Sequence, residues 1–184
     1  LISKAKDYIT GFGCAETRHL AENTWRMDLV QKKSGTTSIQ YLKSRGALHD
    51  GMICSHAIYL TEEELRIMAE EGVKVVNTPL CEMKIADGIA PIPAMLKAGV
   101  TVGIGTDGAM WNNSNDIFRE MKGMVLLHSL NSGVRSLGKN DILDMATING
   151  AKAFGLQDKY GSIEVGKAAD FILVDTDSPH MSPL

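Results

Sequence analysis

The sequence is poor in cysteine and in aromatic residues, and it lacks a basic cluster and a long apolar run. Only three of its 184 residues are cysteine, and 5% are aromatic. An odd number of scattered cysteines argues against a disulfide framework and favours a reducing, cytoplasmic compartment. The net charge of −3, without a basic cluster, argues against nucleic-acid binding. No apolar run reaches the roughly 18 residues that a membrane helix needs, so we expect neither a nucleic-acid nor a membrane partner.

What is present is the composition of an ordinary globular protein, with 44% hydrophobic and 22% charged residues. The length is sufficient for a domain with a hydrophobic core. The chain starts inside a helical pattern, without an initiator Met, and stops soon after a strand-like run. These ends predict a fragment of a longer protein.

Short apolar runs alternate with helical patterns along the chain. Strands are predicted at "GMICSH" (51–56), "VKVVN" (73–77) and "VTVGIG" (100–105), with a further strand at Asp170–Asp175. Helices are predicted at roughly 1–10, 22–33, 38–45, 61–71 (with Thr61 and Glu64 as a capping box), 91–98, 115–131 and 141–154, and a loop at 78–88. This alternation is typical of a parallel α/β sheet or barrel.

The stretch "GIGTDG", Gly103–Gly108, permits two interpretations. It matches the G-x-G-x-x-G loop that binds a dinucleotide pyrophosphate, but its context argues against that function. The next helix is predicted to begin only near Asn115, and a helical pattern stands where a second strand should end. The alternative is that Asp107, just after a strand, binds a metal.

Three polar residues stand at the carboxyl ends of predicted strands: His19 after "CAETR", His56 after "MICS" and Asp107 after "VTVGIGT". Ligands bind beyond the carboxyl ends of parallel strands, so these side chains are expected to converge. Imidazole and carboxylate suit zinc, iron or nickel, and Glu22 lies where a carboxylate could shuttle a proton. Taken singly, each histidine could instead be an ordinary loop residue, and Glu22 a first-turn residue favoured by the helix dipole.

Six segments occur in an order that resembles the amidohydrolase superfamily: "HLAE", "SHAIYLTEEE", "NTPLCEMKIADGIAPIP", "GTDGAMWNNSNDIFREMK", "ATINGAKAFGL" and "GSIEVGKAADFILVD". The similar branch contains the methylthioadenosine/S-adenosylhomocysteine deaminases, guanine deaminases and triazine hydrolases (chlorohydrolases). The resemblance implies an α/β fold: the C-terminal half (strands 5–8) of a metal-dependent (β/α)8 TIM barrel in residues 1–160. Residues 161–184 would begin the return strands of a small β-sandwich domain.

The resemblance also implies roles for individual residues. His19 and Asp107 would be ligands of one divalent metal, zinc or alternatively iron. Glu22, His56 and Asp107 would be catalytic, and Glu22, His56 and Trp111 would contact the substrate. Metal-bound hydroxide would remove an exocyclic amino group from a purine-like or triazine-like ring. The substrate would thus be a small heteroaromatic amine, and the intact protein a homo-oligomer.

Two departures from the family pattern leave an alternative open. The first metal-ligand pair of the family, H-x-H, is absent from the sequence, and "TPLCEMK" has Cys81 and Glu82 where many relatives have Ser and Asn. We therefore expect the isolated segment to be inactive. The alternative is a truncated, non-catalytic remnant that serves as a binding or interaction module.

Overall fold

The computed structural model describes residues 2–181 and places a four-stranded parallel sheet among helices. In chain order the elements are α1 Ile2–Phe12, β1 Glu16–Leu20, α2 Thr24–Ser34, α3 Ser38–Ser44, β2 Met52–His56, α4 Glu62–Glu70, β3 Lys74–Asn77, α5 Pro79–Ile85, α6 Ile92–Ala98, β4 Val102–Ile104, α7 Ala109–Asn112, α8 Ile117–Ser132, α9 Lys139–Ala146, α10 Ile148–Ala153 and the 3-10 turn Pro179–Met181. No helix within this described range is both long and apolar enough to span a bilayer.

The strands lie in the order β1-β2-β3-β4, so every pair of neighbours is consecutive in the sequence and joined by helical connections. The register aligns Leu20 with His56, Ser55 with Val76, and Asn77 with Ile104. The strand ends therefore lie at one common edge. The three central predicted strands are confirmed, and the parallel α/β sheet is the fold class that the alternation indicates.

The interior strands and the helix faces that cover them form one core. Cys54 and Val75 are fully buried on their strands. Several methionines of the helices also belong to the core, namely the buried Met68, Met95, Met124 and Met145 and the partly buried Met27 and Met121. This core packs against the sheet up to the strand ends.

Helix boundaries follow local signals where those signals are strong. The Thr61 side chain accepts from the Glu64 backbone N–H, and the Glu64 carboxylate accepts from the Thr61 N–H, which completes the predicted capping box. Gly99 ends α6 in the left-handed conformation, with φ 87°. The predicted helices at 61–71 and 91–98 are confirmed.

Three predictions of local structure are wrong. The segment 78–88 is not all loop, because Pro79 starts α5 at a position where its missing N–H costs nothing. The predicted helix 141–154 is broken at Thr147, whose hydroxyl bonds back to the Leu143 carbonyl at 2.6 Å. The remainder forms α10, which Asn149 ties to β4 through a 3.0 Å hydrogen bond to the Val102 carbonyl.

The third wrong prediction is the strand at Asp170–Asp175. These residues are neither helix nor strand, and Phe171, Ile172 and Leu173 are exposed. A strand needs a neighbour that supplies hydrogen bonds, and within residues 2–181 none lies beside this segment. The predicted division into residues 1–160 and 161–184 stays a prediction.

Candidate active site

The carboxyl ends of the strands bring the predicted functional side chains to one edge of the sheet. His19 lies near the end of β1, His56 is the last residue of β2, and Asp107 follows β4. The register pairs His19 with Ser55 and Leu20 with His56, so the two histidines come from adjacent strands at nearly the same height.

His56 lies at the centre of this cluster. The centroid of its ring is 5.1 Å from that of His19. Its Nε2 atom is 3.9 Å from Glu22 Oε1 and 3.9 Å from Asp107 Oδ2. These separations exceed hydrogen-bond length, so the groups face one another without being bonded. All four residues predicted to bind metal or act in catalysis are therefore neighbours.

The backbone at these strand ends is in an unfavourable conformation. His56, Ala57 and Asp107 have φ values of 71°, 53° and 55°. The left-handed region costs a residue with a Cβ about 1–3 kcal/mol, and such residues cluster at functional sites. The same turn occurs after β1, where Ala21 has φ 49°.

Glu22 is held in place by a cation. Its Oε2 atom accepts a hydrogen bond from Arg26 Nη1 at 2.5 Å, which leaves Oε1 as the oxygen nearer to His56. Glu22 lies just before Asn23, the N-cap of α2, so it is outside the helix and not an ordinary first-turn residue. Its side chain is 14% exposed.

Asp107 is oriented by two donors. Its Oδ1 atom accepts from the Gly108 N–H at 2.5 Å, and its Oδ2 atom lies 3.2 Å from the Cys81 thiol. Burial, together with the Asp107 carboxylate, raises the pKa of the Cys81 thiol to about 12. Cys81 is therefore a neutral donor to Asp107 at physiological pH.

Gly105, two residues before Asp107, permits close packing. A Cβ atom at Gly105 would lie 2.8 Å from Val76 Cγ1, so only glycine allows the end of β4 to approach β3 this closely. The helix after the motif is the single turn α7, which begins at Ala109 and therefore earlier than the predicted start near Asn115, but after Gly108 and not within the motif. A phosphate loop requires the helix to begin inside the motif, and the dinucleotide interpretation therefore lacks support here.

Sequence reasoning assigned no role to a buried carboxylate beneath His56. Glu82, on α5, is fully buried, and its Oε1 atom lies 3.3 Å from His56 Nδ1. Asn77 donates to both Glu82 oxygens at 2.8 and 2.7 Å, and the Thr78 N–H donates to Oε1 at 3.2 Å. The only signal in the sequence was the departure from the family pattern at this position.

These surroundings change the protonation of His56. Burial alone lowers its pKa, but the hydrogen bond and charge of Glu82, with the charges of Glu22 and Asp107, outweigh burial and raise the pKa above its ordinary value. His56 therefore holds a proton more strongly than an ordinary histidine does. It can act as a hydrogen-bond donor towards negative charge.

The other histidines have no place in this cluster, whereas Trp111 lies at its margin. His49 and His128 are buried, which agrees with a structural function, and the side chain of His180 lies outside the described residues. Trp111 is 46% exposed on α7, beside Gly108. It therefore stands near Asp107, and its contact with substrate stays a prediction.

The donor chemistry of the cluster suits a divalent metal. Each oxygen of the Asp107 carboxylate retains a lone pair beyond the bond described above, and His19 supplies an exposed imidazole beside His56. Imidazole and carboxylate are ligands that zinc prefers. Within residues 2–181, however, no three His, Cys, Asp or Glu side chains are grouped so that they could hold an ion by themselves.

The sheet is parallel, and its imidazole and carboxylate groups lie at the carboxyl ends of the strands. This arrangement is typical of α/β proteins that bind their ligands beyond the strand ends. The sequence profile of the Amidohydrolase family matches residues 14–184. The chain therefore belongs to the amidohydrolase family, as its motifs indicated.

Among the relatives, the 5-methylthioadenosine/S-adenosylhomocysteine deaminase of Desulforudis audaxviator is 39% identical over 166 residues, 90% of this chain and 39% of that protein. The 5'-deoxyadenosine deaminase of Methanosarcina acetivorans is 35% identical over 183 residues, 99% of this chain and 42% of that protein. The chain thus spans about two fifths of the length of these relatives.

Solved structures agree with this placement. A zinc-bound adenosine deaminase from Xanthomonas campestris superimposes with a TM-score of 0.95 at 32% identity, over 100% of this chain and 42% of that one. The zinc complex of an atrazine chlorohydrolase from Arthrobacter aurescens matches with a TM-score of 0.92 at 24% identity and shows the shared fold.

Proposed function

We propose that the chain is the catalytic C-terminal half of a metal-dependent aminohydrolase. Its strands would be strands five to eight of a (β/α)8 barrel, with residues 161–184 leading into a small β-sandwich. The substrate would be a purine-like or triazine-like ring that loses an exocyclic amino group by hydrolysis. The observation that carries the proposal is the convergence of His19, Glu22, His56 and Asp107 around one point.

The open edges of the sheet support the barrel. Within the described residues, β1 and β4 each have a neighbouring strand on one side only. A parallel sheet of this kind is ordinarily continued or covered on both sides. The remaining barrel strands and the missing metal ligands would come from residues outside this chain, and the segment alone would then lack turnover.

His19 and Asp107 would hold the metal, for which zinc is the first candidate. When bound, such an ion lowers the pKa of water so that a nucleophile is available at neutral pH. Asp107 would accept the proton of the attacking water. Glu22, steadied by Arg26, would pass a proton to the ring nitrogen as the carbon–nitrogen double bond is attacked.

His56 would stabilise the charge that develops on the attacked ring. Its Nε2 atom lies 3.9 Å from a carboxylate oxygen of both Glu22 and Asp107, and an Nε2–H there would be a donor towards that charge. Ammonia would then leave, and the keto form of the ring would be the product. The chemistry uses one water and releases one ammonia for each turnover.

The decisive experiment measures ammonia release by the complete gene product that contains residues 1–184. The substrates should include adenosine-type, guanine-type, pterin and triazine compounds. We expect Asp107→Asn to abolish turnover, because Asn cannot accept the proton. Asp116→Asn is the matched control, since Asn caps α8 about as well as Asp does.

The alternative function, a non-catalytic remnant, predicts a different result. It requires no ammonia release from any of these compounds and almost no bound metal in the complete protein. The coding sequence upstream provides a further discriminator, because an H-x-H motif there would supply the missing ligands, whereas unrelated sequence would favour the remnant.

A further inference from the structure

The carboxylate of Glu82 has no use in the reaction as described, yet it is fully buried. A buried charge without a partner is strongly unfavourable, so its neighbours must compensate it. Asn77 and the Thr78 N–H supply three of the hydrogen bonds that Glu82 accepts. The remaining polar atom that faces Oε1 from another element is His56 Nδ1, at 3.3 Å.

Two acceptors surround Nδ1 of His56, which decides the direction of these contacts. One is Glu82 Oε1, and the other is Thr78 Oγ1, also 3.3 Å away. The single proton of the Thr78 hydroxyl has its own acceptor in Glu82 Oε1, at 3.3 Å. A lone pair on Nδ1 would face the lone pairs of the Glu82 carboxylate, which can only accept, so this geometry favours a hydrogen on Nδ1.

We propose that Glu82 is a positioning residue that holds the Nδ1–H of His56 turned into the protein, so that Nε2 is the nitrogen presented to the substrate. This inference rests on the proposed function. The ring has two nitrogens and a rotatable side chain, and only one arrangement directs Nε2 between Glu22 and Asp107. Asn77 in turn fixes the carboxylate by donating to both its oxygens.

The hydrogen bonds around residue 82 explain why its side chain is a carboxylate. An amide at residue 82 offers one acceptor and one donor group, whereas Glu82 accepts at both oxygens. Hydrogen bonds to an ionised group are roughly twice as strong as neutral ones. The charge therefore fixes both the orientation of the His56 ring and the nitrogen that carries the inward hydrogen.

The test uses the complete polypeptide, labelled with ¹⁵N-histidine, with the His56 signals assigned by their loss in His56→Gln. In the metal-free wild type we expect Nδ1 of His56 to give the ¹⁵N shift of a protonated nitrogen and a downfield proton. In Glu82→Gln we expect that proton to move upfield and kcat to fall about 10- to 100-fold, with KM little changed, as for other residues that orient a functional histidine.

Glu64→Gln is the matched control, because Glu64 is also buried but belongs to the capping box of α4. It should leave the His56 spectrum and kcat unchanged. An unprotonated Nδ1 in the wild type, or an unchanged spectrum and kcat in Glu82→Gln, would overturn the proposal. If Glu82→Gln does not fold, the wild-type spectrum still decides. Absence of turnover with every substrate would count against the proposed function alone, because the spectrum is measured without substrate.

Discussion

His128 offers the sharpest test of the packing in this structure. It is 1% exposed on α8, and neither ring nitrogen has a partner in the part of the chain that the structure describes. Each unpaired buried polar atom costs about 1–3 kcal/mol. Leucine is apolar, similar in size and a better helix former, although its different shape should cost up to about 1.5 kcal/mol. We therefore expect His128→Leu to raise the free energy of unfolding by about 1–3 kcal/mol.

The pH dependence gives this prediction a second signature. Burial lowers the pKa of His128 below its ordinary value. Below about pH 6.5 the unfolded chain therefore binds a proton that the folded protein resists, and wild-type stability falls as the pH decreases. His128→Leu removes this contribution. The difference in stability between variant and wild type should therefore widen from pH 7 towards pH 5.

Urea unfolding of the complete polypeptide, followed by circular dichroism at several pH values, measures both effects. The matched control is His49→Leu. His49 is also buried, but its Nε2 lies 3.0 Å from Glu16 Oε2 and its Nδ1 accepts from the Gly51 N–H at 3.2 Å. Its replacement should destabilise the protein by at least about 2 kcal/mol, because two partners lose their bonds. A destabilising His128→Leu, or a difference independent of pH, would refute the reasoning.

Three further predictions concern local features. Ala86→Gly should stabilise the protein by about 0.5–1 kcal/mol, because Ala86 ends α5 in the left-handed conformation with φ 57°. Ala94→Gly, in the exposed middle of α6, should destabilise the protein by a similar amount. Shifts of the urea midpoint in the same direction for both variants would contradict this. Thr61→Ala should cost about 1 kcal/mol in the same assay through loss of the capping box, and a neutral result would show that the box contributes nothing. Iodoacetamide should label the exposed Cys14 rapidly and leave the buried Cys81 unmodified in the folded protein, as peptide mass spectrometry would reveal; rapid labelling of Cys81 would disprove its burial.

The sequence predicted those elements whose signals are local. The strand at 51–56 is an apolar run between polar neighbours, and the helix after Thr61 carries its own cap, so neither depends on distant contacts. The helix α5 was missed because "TPL" and Gly88 are turn signals, while Pro79 also suits a first helical position. The segment Asp170–Asp175 has strand propensity, but propensity cannot supply the neighbour that a strand requires.

The residues of the candidate site also fall into those that the sequence could predict and those that it could not. His19, His56 and Asp107 could be found because each lies at or just beyond the carboxyl end of a strand, and parallel strands end at one edge. Glu82 could not, since its place beside the site is defined by a contact with a histidine 26 residues earlier. Only the three-dimensional structure brings α5 beneath the end of β2. The position of a residue relative to a strand can be predicted from the sequence. The side chains that pack against such a residue can be identified only from the three-dimensional structure.

The cost of this arrangement bears on whether the chain is catalytic. The left-handed residues at the strand ends, His56, Ala57 and Asp107 among them, each cost about 1–3 kcal/mol. Such costs are large beside the total stability of about 5–15 kcal/mol that is typical of a domain. The fully buried Glu82 adds a further desolvation cost. Folding alone requires none of these features, and a remnant without chemistry would gain stability by losing them. Their presence together at one edge therefore favours an active site over a binding module.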